Sequence, residues 1–141
     1  MTLPQLPDDG NKTPTVLLVD DRSENLLALE AVLGPLEIRL QKAANADAAL
    51  WFLLHNDVAL ILLDVEMPGI DGFEVLRWLQ TQSFPELVVI VLSGSERRED
   101  ITLALQLGAH YYQTKQIDLA QQIQMLNLFE QYMVRQKRTP G

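Results

Sequence analysis

The feature that most constrains the fold is a run of apolar residues that ends abruptly in a carboxylate. Residues 58–63 are all apolar, with Asp57 before the run and Asp64 directly after it. The run is too short for a packed helix, which indicates a strand buried on both faces of a sheet. In an open α/β sheet, ligands bind in the crevice outside the carboxyl ends of the strands. Asp64 is therefore predicted to lie at a ligand-binding or reactive site rather than inside the hydrophobic core.

The length and composition indicate one globular domain. The chain has 141 residues, and its hydrophobic fraction of 48% is enough for one sizeable core. Its length leaves no room for a second domain. Residues 1–14 are rich in Pro, Asp, Gly and Thr and lack the basic start and long apolar centre of a secretory signal. We therefore expect a flexible N-terminal tail over 1–14 and a single domain over 15–141.

Charge and hydropathy exclude several kinds of partner. The net charge of -8 argues against a nucleic-acid surface, which needs clustered Lys and Arg. The longest apolar runs, 58–63 and 87–92, are far shorter than the roughly 20 residues of a membrane span. The sequence has no cysteine, which excludes disulfides and thiolate metal sites and is compatible with a reducing compartment. We expect a cytoplasmic protein that binds neither nucleic acid nor membrane.

Strand and helix patterns alternate along the chain. Ser23 and Asn45 are predicted N-caps, Gly108 is predicted to end the fourth helix, and Asp118 opens a capping-box pattern. Right-handed crossovers between parallel strands place helices on both faces of the sheet. The pattern therefore predicts an α/β fold, a (βα)5 doubly wound parallel sheet. The predicted strands are 15–19, 37–41, 58–64, 87–92 and 111–114, and the predicted helices are 23–33, 46–55, 72–81, 96–107 and 118–138.

Reactive side chains fall at the carboxyl ends of the predicted strands. They are Asp20 and Asp21 after the first strand, Asp64 at the third, Ser93 at the fourth and Lys115 at the fifth. Clustered carboxylates repel each other, and a divalent cation relieves that repulsion. Oxygen ligands favour Mg²⁺, which bridges carboxylates to phosphate oxygens. With its charge balanced, Asp64 is a candidate nucleophile toward phosphorus, with Ser93 and Lys115 contacting the phosphoryl oxygens.

These motifs resemble the receiver domain of two-component response regulators from about Thr15 into the last helix. The resemblance is carried by the Asp20-Asp21 pair, the segment LLDVEMPGIDG over 62–72, the segment LSG over 92–94 and Thr114-Lys115, in this order on successive strand ends. It implies a flavodoxin-like receiver fold and phosphotransfer to Asp64 from a histidine kinase or phosphotransfer protein. Where receivers usually carry proline after this lysine, this chain has Gln116.

The resemblance also implies individual roles. Asp21 and Asp64 would bind the metal, Asp20 would help through water, and the backbone carbonyl of Glu66 would complete the metal contacts. Tyr112, three residues before Lys115, matches an aromatic switch position that receivers couple to the Ser93 hydroxyl. From the residues alone, the Asp pair would equally suit a helix cap, and Tyr112 would equally suit packing in a strand.

Three function classes follow. The favoured one is a phosphorylation-controlled switch that catalyses only its own phosphorylation and dephosphorylation and is no enzyme toward other substrates. The alternatives are a pseudo-receiver that acts as a protein-binding module, and a phosphatase with an Asp nucleophile. The complete set of site residues disfavours the first alternative, and the absence of an Asp two residues after Asp64 disfavours the second.

The predicted last helix carries more apolar surface than one sheet face needs. At 1.5 Å per residue it would be about 30 Å long, with apolar residues on two faces. An apolar patch that the chain does not cover usually marks an interface. We expect homodimerisation or partner docking through four residues. They are Met125, Leu128, Phe129 and Tyr132.

Overall fold

The computed structural model describes residues 13–65, 72–84, 86–94, 96–114, 127 and 131. Five parallel strands form one sheet in the order β2-β1-β3-β4-β5. This order and the alternation of strands with helices confirm the predicted doubly wound α/β class. The strands are β1 (Thr15–Val19), β2 (Arg39–Ala43), β3 (Leu60–Asp64), β4 (Val88–Ser93) and β5 (Tyr111–Thr114), and the helices within the described ranges are α1 (Ser23–Leu33), α2 (Ala46–His55), α3 (Gly72–Gln80) and α4 (Arg98–Gln106).

The three central strands are buried on both faces, as their unbroken apolar runs predict. Every residue of β1, β3 and β4 is buried. Because side chains alternate across a strand, Leu17 and Ile61 join the apolar cluster on one face of the sheet, while Val16 and Leu60 join the cluster on the other. Apolar residues of α2, α3 and α4 pack into the first cluster, and those of α1 pack into the second. Helices thus cover both faces.

The edge strand β2 has the mixed burial pattern expected of a partly solvent-exposed strand. Its burial runs from half-buried at Arg39 and Leu40, through exposed Gln41 and Lys42, to buried Ala43. It pairs only with β1 among the described strands. The strand begins two residues after the start of the predicted 37–41 and ends two residues beyond it, because pairing with β1, rather than an apolar pattern of its own, holds its second half.

The helix boundaries agree with the predictions in part. Asn45 caps α2 as expected, since its side chain accepts a hydrogen bond from the Ala48 N–H at 2.8 Å. The prediction that Ser23 caps α1 is wrong, because Arg22 occupies the N-cap position and Ser23 is the first helical residue. Helix α4 begins two residues after the predicted start. It ends as predicted before Gly108, whose φ of 105° is the left-handed conformation that glycine adopts most readily.

Several predicted features lie outside the described residues. These are the tail over 1–12, Lys115 and Glu66. Of the predicted helix 118–138, the structure describes only Asn127 and Gln131, which are helical and exposed. The predicted interface residues Met125, Leu128, Phe129 and Tyr132 also lie outside the described part of the chain. In the part that is described, no helix is both long enough and apolar enough to cross a membrane.

Candidate metal and phosphoryl site

Strand register brings the acids of β1 and β3 to the same level. Val19 pairs with Leu63, so the residues that follow them, Asp20 and Asp64, lie side by side at the carboxyl edge of the sheet. Strand β2 lies to one side of β1 in the sheet and β3 lies to the other, so the order of the strands reverses its direction at β1. This reversal of direction opens the crevice in which doubly wound folds bind ligands.

Three carboxylates converge in that crevice. One oxygen each from Asp20, Asp21 and Asp64 can be chosen so that all three atoms lie within 4.8 Å of one another. Asp20 and Asp64 are each 1% exposed, whereas Asp21 is exposed. The cluster is therefore buried on the side of the sheet and open to solvent on the side of Asp21.

Charge repulsion in this cluster is large enough to matter for folding. Two like unit charges at such a separation repel by roughly 3–4 kcal/mol at an effective dielectric constant near 20. The N-terminus of α1, which directly follows Asp20 and Asp21 in the chain, offers partial positive charge to these acids. A bound divalent cation would neutralise much more of the charge, and carboxylate oxygens are the ligands that Mg²⁺ prefers.

Hydrogen bonds hold both the side chain and the backbone of Asp20. Its Oδ1 accepts the backbone N–H of Arg22 at 3.0 Å, and its Oδ2 accepts the side-chain amide of Asn25 at 3.2 Å. Its own N–H donates to the carbonyl of Ala43 at 3.1 Å, at the end of β2. Through its side chain and its backbone together, Asp20 therefore links the start of α1 to the end of β2. Asn25 was not predicted from the sequence, although a polar residue in the first helical turn after an acid pair is a signal that could have indicated it.

Ser93 and Tyr112 lie on the neighbouring strands. Ser93 ends β4 and is fully buried, one residue beyond Leu92, which pairs with Asp64. Tyr112 pairs with Val91 and packs, half-buried, against the apolar cluster that α4 joins. The structure thus places Ser93 at the same sheet edge as the acids. Tyr112 lies two residues before Thr114, which is the partner of Ser93 on β5. Their roles in phosphoryl contact and switching stay predictions.

The start of α3 lies unusually close to the end of β3. A Cβ atom added to Gly72 would be 2.5 Å from the carbonyl oxygen of Asp64 and 2.5 Å from the Cα of Val65. Real Cβ atoms do not approach backbone this closely, so only glycine fits at this position. Gly72 thereby allows α3 to pack directly against the backbone that carries Asp64.

The sequence matches the response regulator receiver domain family over residues 16–127. The chain belongs to this family. The family prediction is therefore confirmed, and the acidic crevice lies where receiver domains bind Mg²⁺. Membership also agrees with a phosphorylation-controlled role in two-component signalling.

Similar curated proteins are much longer than this chain. The hydrogenase transcriptional regulatory protein HoxA of Cupriavidus necator is 38% identical over 104 residues, a match that covers 73% of this chain and 21% of HoxA. The response regulator PleD of Caulobacter vibrioides is 36% identical over 107 residues, covering 73% of this chain and 23% of PleD. The match thus spans between a fifth and a quarter of these two relatives.

Solved structures of similar shape are receiver domains. The signal receiver domain of an HD domain-containing protein from Pseudomonas fluorescens superposes with a TM-score of 0.79 at 29% identity, covering 88% of this chain and 97% of that chain. A CheY-like receiver domain protein from Methanospirillum hungatei has a TM-score of 0.80 at 22% identity, covering 91% and 99%. The second likeness concerns the fold alone. Together they confirm the flavodoxin-like receiver fold.

Proposed function

We propose that this receiver domain, which we place over 15–141, is a signalling switch that accepts a phosphoryl group on Asp64 in the presence of Mg²⁺. The observation that carries the proposal is the convergence of Asp20, Asp21 and Asp64 within 4.8 Å at the carboxyl edge of the sheet. The proposed phosphodonor is a phosphohistidine of a histidine kinase or of a phosphotransfer protein. A cytoplasmic location is proposed with it, and the absence of cysteine is compatible with that compartment.

The donor set suits Mg²⁺ with unequal roles for the three acids. Both oxygens of Asp20 already accept a hydrogen bond from the protein, which favours contact with the cation through water. Asp21 and Asp64 are the proposed direct ligands, together with the backbone carbonyl of Glu66. Mg²⁺ usually keeps several waters, and the exposed side of the cluster at Asp21 leaves room for them.

In the proposed reaction, an oxygen of Asp64 attacks phosphorus and forms an acyl phosphate. The new O–P bond replaces the P–N bond of the donor, whose electron pair stays on the imidazole. When bound, Mg²⁺ would offset negative charge on the carboxylates and the phosphoryl oxygens. Lys115 is proposed to contact one phosphoryl oxygen, and the Ser93 hydroxyl is proposed to donate a hydrogen bond to another.

The proposed output is a change of surface rather than catalysis on another substrate. Movement of Ser93 toward the phosphoryl group would alter the space beside β4, and Tyr112 on β5 is the proposed aromatic partner in that switch. The last helix is proposed to dock a second copy or a partner. Sedimentation with and without a phosphoryl mimic would test this, and a monomer in both states that Leu128→Glu leaves unchanged would contradict the dimer. The proposed docking residues are Met125, Leu128, Phe129 and Tyr132.

The deciding experiment is intact-mass spectrometry of the chain after addition of a small-molecule acyl phosphate, with Mg²⁺ or with a chelator. We expect a gain of one phosphoryl group that needs Mg²⁺ and then persists long enough to be observed. No gain in either condition would contradict the proposal and favour a pseudo-receiver. Continuous hydrolysis of the donor without accumulation on the protein would favour a phosphatase.

A further inference from the structure

Asn25 makes a contact that the proposed reaction does not itself require. It lies half-buried in the first turn of α1, and its side-chain amide donates to Oδ2 of Asp20 at 3.2 Å. The other carboxylate oxygen of Asp20 accepts the Arg22 N–H at 3.0 Å. We propose that Asn25 is a positioning residue that orients the Asp20 carboxylate and thereby sets the affinity of the acid cluster for Mg²⁺. This inference rests on the proposed function.

The orientation of Asp20 needs a fixed donor because solvent is nearly excluded there. The residue is 1% exposed, so bulk water does not surround its carboxylate. The terminal torsion of an aspartate is broad, and one hydrogen bond leaves the carboxylate free to tilt. Donors on both oxygens, from Arg22 and from Asn25, hold its plane in one orientation.

The orientation of Asp20 matters for a hydrated cation. Mg²⁺ keeps a near-octahedral shell that demands well-placed partners. A carboxylate that Arg22 and Asn25 hold in one plane presents its oxygens to that shell in one geometry. Residues that orient the groups around a metal typically change its affinity 10–100-fold when they are removed.

The neutrality of the Asn25 amide is as important as its position. A lysine or arginine could donate the same hydrogen bond to Asp20, but its positive charge would compete with the cation. Asn25 orients the carboxylate without adding a positive charge to the site.

Asn25 differs from the asparagine that ends α2. The side chain of Asn56 donates to the backbone carbonyl of Phe52 at 3.1 Å on an exposed surface, a contact that concerns only the helix end. The side chain of Asn25 instead donates to a buried acid of the cluster. The two residues have the same chemistry and one side-chain amide bond each, so Asn56 supplies a matched control.

The test is calorimetric titration of the full 141-residue chain with MgCl₂, together with thermal unfolding in chelator. We expect Asn25→Ala to weaken Mg²⁺ binding by about 10-fold, the lower end of the range for such residues. Asn25→Leu, which keeps the volume without the donor, should do the same, and Asn25→Gln should recover part of the affinity. Asn56→Ala should leave Mg²⁺ affinity unchanged.

A second readout is the Mg²⁺ dependence of phosphoryl uptake from an acyl phosphate. The Mg²⁺ concentration for half-maximal uptake should rise by the same factor in Asn25→Ala, while the rate at saturating Mg²⁺ stays the same. Lower thermal stability in chelator with unchanged Mg²⁺ affinity would show a merely structural role and overturn the inference. If Asn25→Ala does not fold, Asn25→Leu decides in the same way. A wild-type chain that binds no Mg²⁺ would overturn the proposed function as well.

Discussion

Helices α1 and α2 each follow a strand of the sheet, but different contacts hold their first turns. Helix α2 has a conventional start, in which Asn45 accepts the Ala48 N–H at 2.8 Å. Helix α1 has Arg22 at its N-cap, without a side-chain cap bond. Asp20, which belongs to the acid cluster, accepts the hydrogen bond from the Arg22 N–H. One helix start serves stability alone, and the other is shared with the site.

The difference is that the start of α1, beside the acid cluster, lacks a local stabilising contact that the start of α2 has. A side-chain cap typically contributes about 1 kcal/mol, and α1 lacks one at its N-cap. Its nearby polar side chains, Asp20 and Asn25, bind each other instead. Proteins commonly accept lower stability near a site when the groups there are needed for activity. Substitutions at the acid cluster and at the helix starts test this difference.

The largest expected effect is at Asp64. Asp64→Asn should abolish phosphoryl uptake, because the amide cannot act as the nucleophile. The free energy of unfolding in chelator should stay the same or rise, since one of three repelling charges is removed. Intact mass and urea unfolding measure the two effects. Asp57→Asn, at an exposed acid one strand length away, is the control and should take up phosphoryl normally. A normal mass gain in Asp64→Asn would contradict the assignment.

A third helix start, that of α3, depends on the absence of a side chain. Gly72→Ala would place a Cβ 2.5 Å from the Asp64 carbonyl oxygen, and we expect it to lower the free energy of unfolding by about 3 kcal/mol or to prevent folding. Urea unfolding measures the loss. Gly34→Ala, whose Cβ would lie 3.3 Å from the Glu30 carbonyl oxygen, should change stability by less than about 1 kcal/mol. Equal effects at the two glycines would refute the close packing of α3 on β3.

Mg²⁺ should stabilise the fold through the acid cluster beside the start of α1 and not through the start of α2. At a concentration 100-fold above its Kd, we expect Mg²⁺ to raise the free energy of unfolding by about 2.7 kcal/mol relative to chelator. Urea unfolding at matched ionic strength tests this. Asn45→Ala should keep the whole increment, and Asp64→Asn should lose most of it. An increment that is the same in all three proteins would place the cation elsewhere.

The smallest expected effect compares the two predicted capping residues. Asn45→Ala should destabilise the protein by about 1 kcal/mol, because the Ala48 N–H loses its acceptor. Ser23→Ala should change the free energy of unfolding by no more than about 0.5 kcal/mol, since Ser23 is the first residue inside α1 rather than its cap. Neither substitution should alter phosphoryl uptake. A loss at Ser23 as large as that at Asn45 would mean that Ser23 caps α1 in solution.

Local sequence pattern was sufficient for the fold class. The unbroken apolar runs of β1, β3 and β4 predicted strands buried on both faces, and all their residues are buried. It was also sufficient for the cap at Asn45 and the stop at Gly108, because both depend on the conformation of a few neighbouring residues. The family resemblance added the expected switch role of Tyr112 and the expected metal contact of the Glu66 carbonyl, which no local pattern specifies.

Other features were decided only by tertiary structure, because they depend on residues that are distant in the chain. The full extent of β2 follows from its pairing with β1, and the approach of Asp20 to Asp64 follows from the register of β1 with β3. His110 lies between α4 and β5 in the chain. In the structure its N–H donates to the carbonyl of Val89 at 2.7 Å, and its Nδ1 accepts the Val89 N–H at 2.9 Å.

The start of α1 shows both contributions at once. Sequence alone determined that Asp20 and Asp21 follow a buried strand and precede a helix, since apolar periodicity is a property of the chain itself. Only the folded chain decided that Arg22 occupies the cap position and that Asn25 binds Asp20. A serine, an aspartate and an asparagine within six residues can all cap a helix or bind a site. Which of them does so depends on how the neighbouring strands place the backbone.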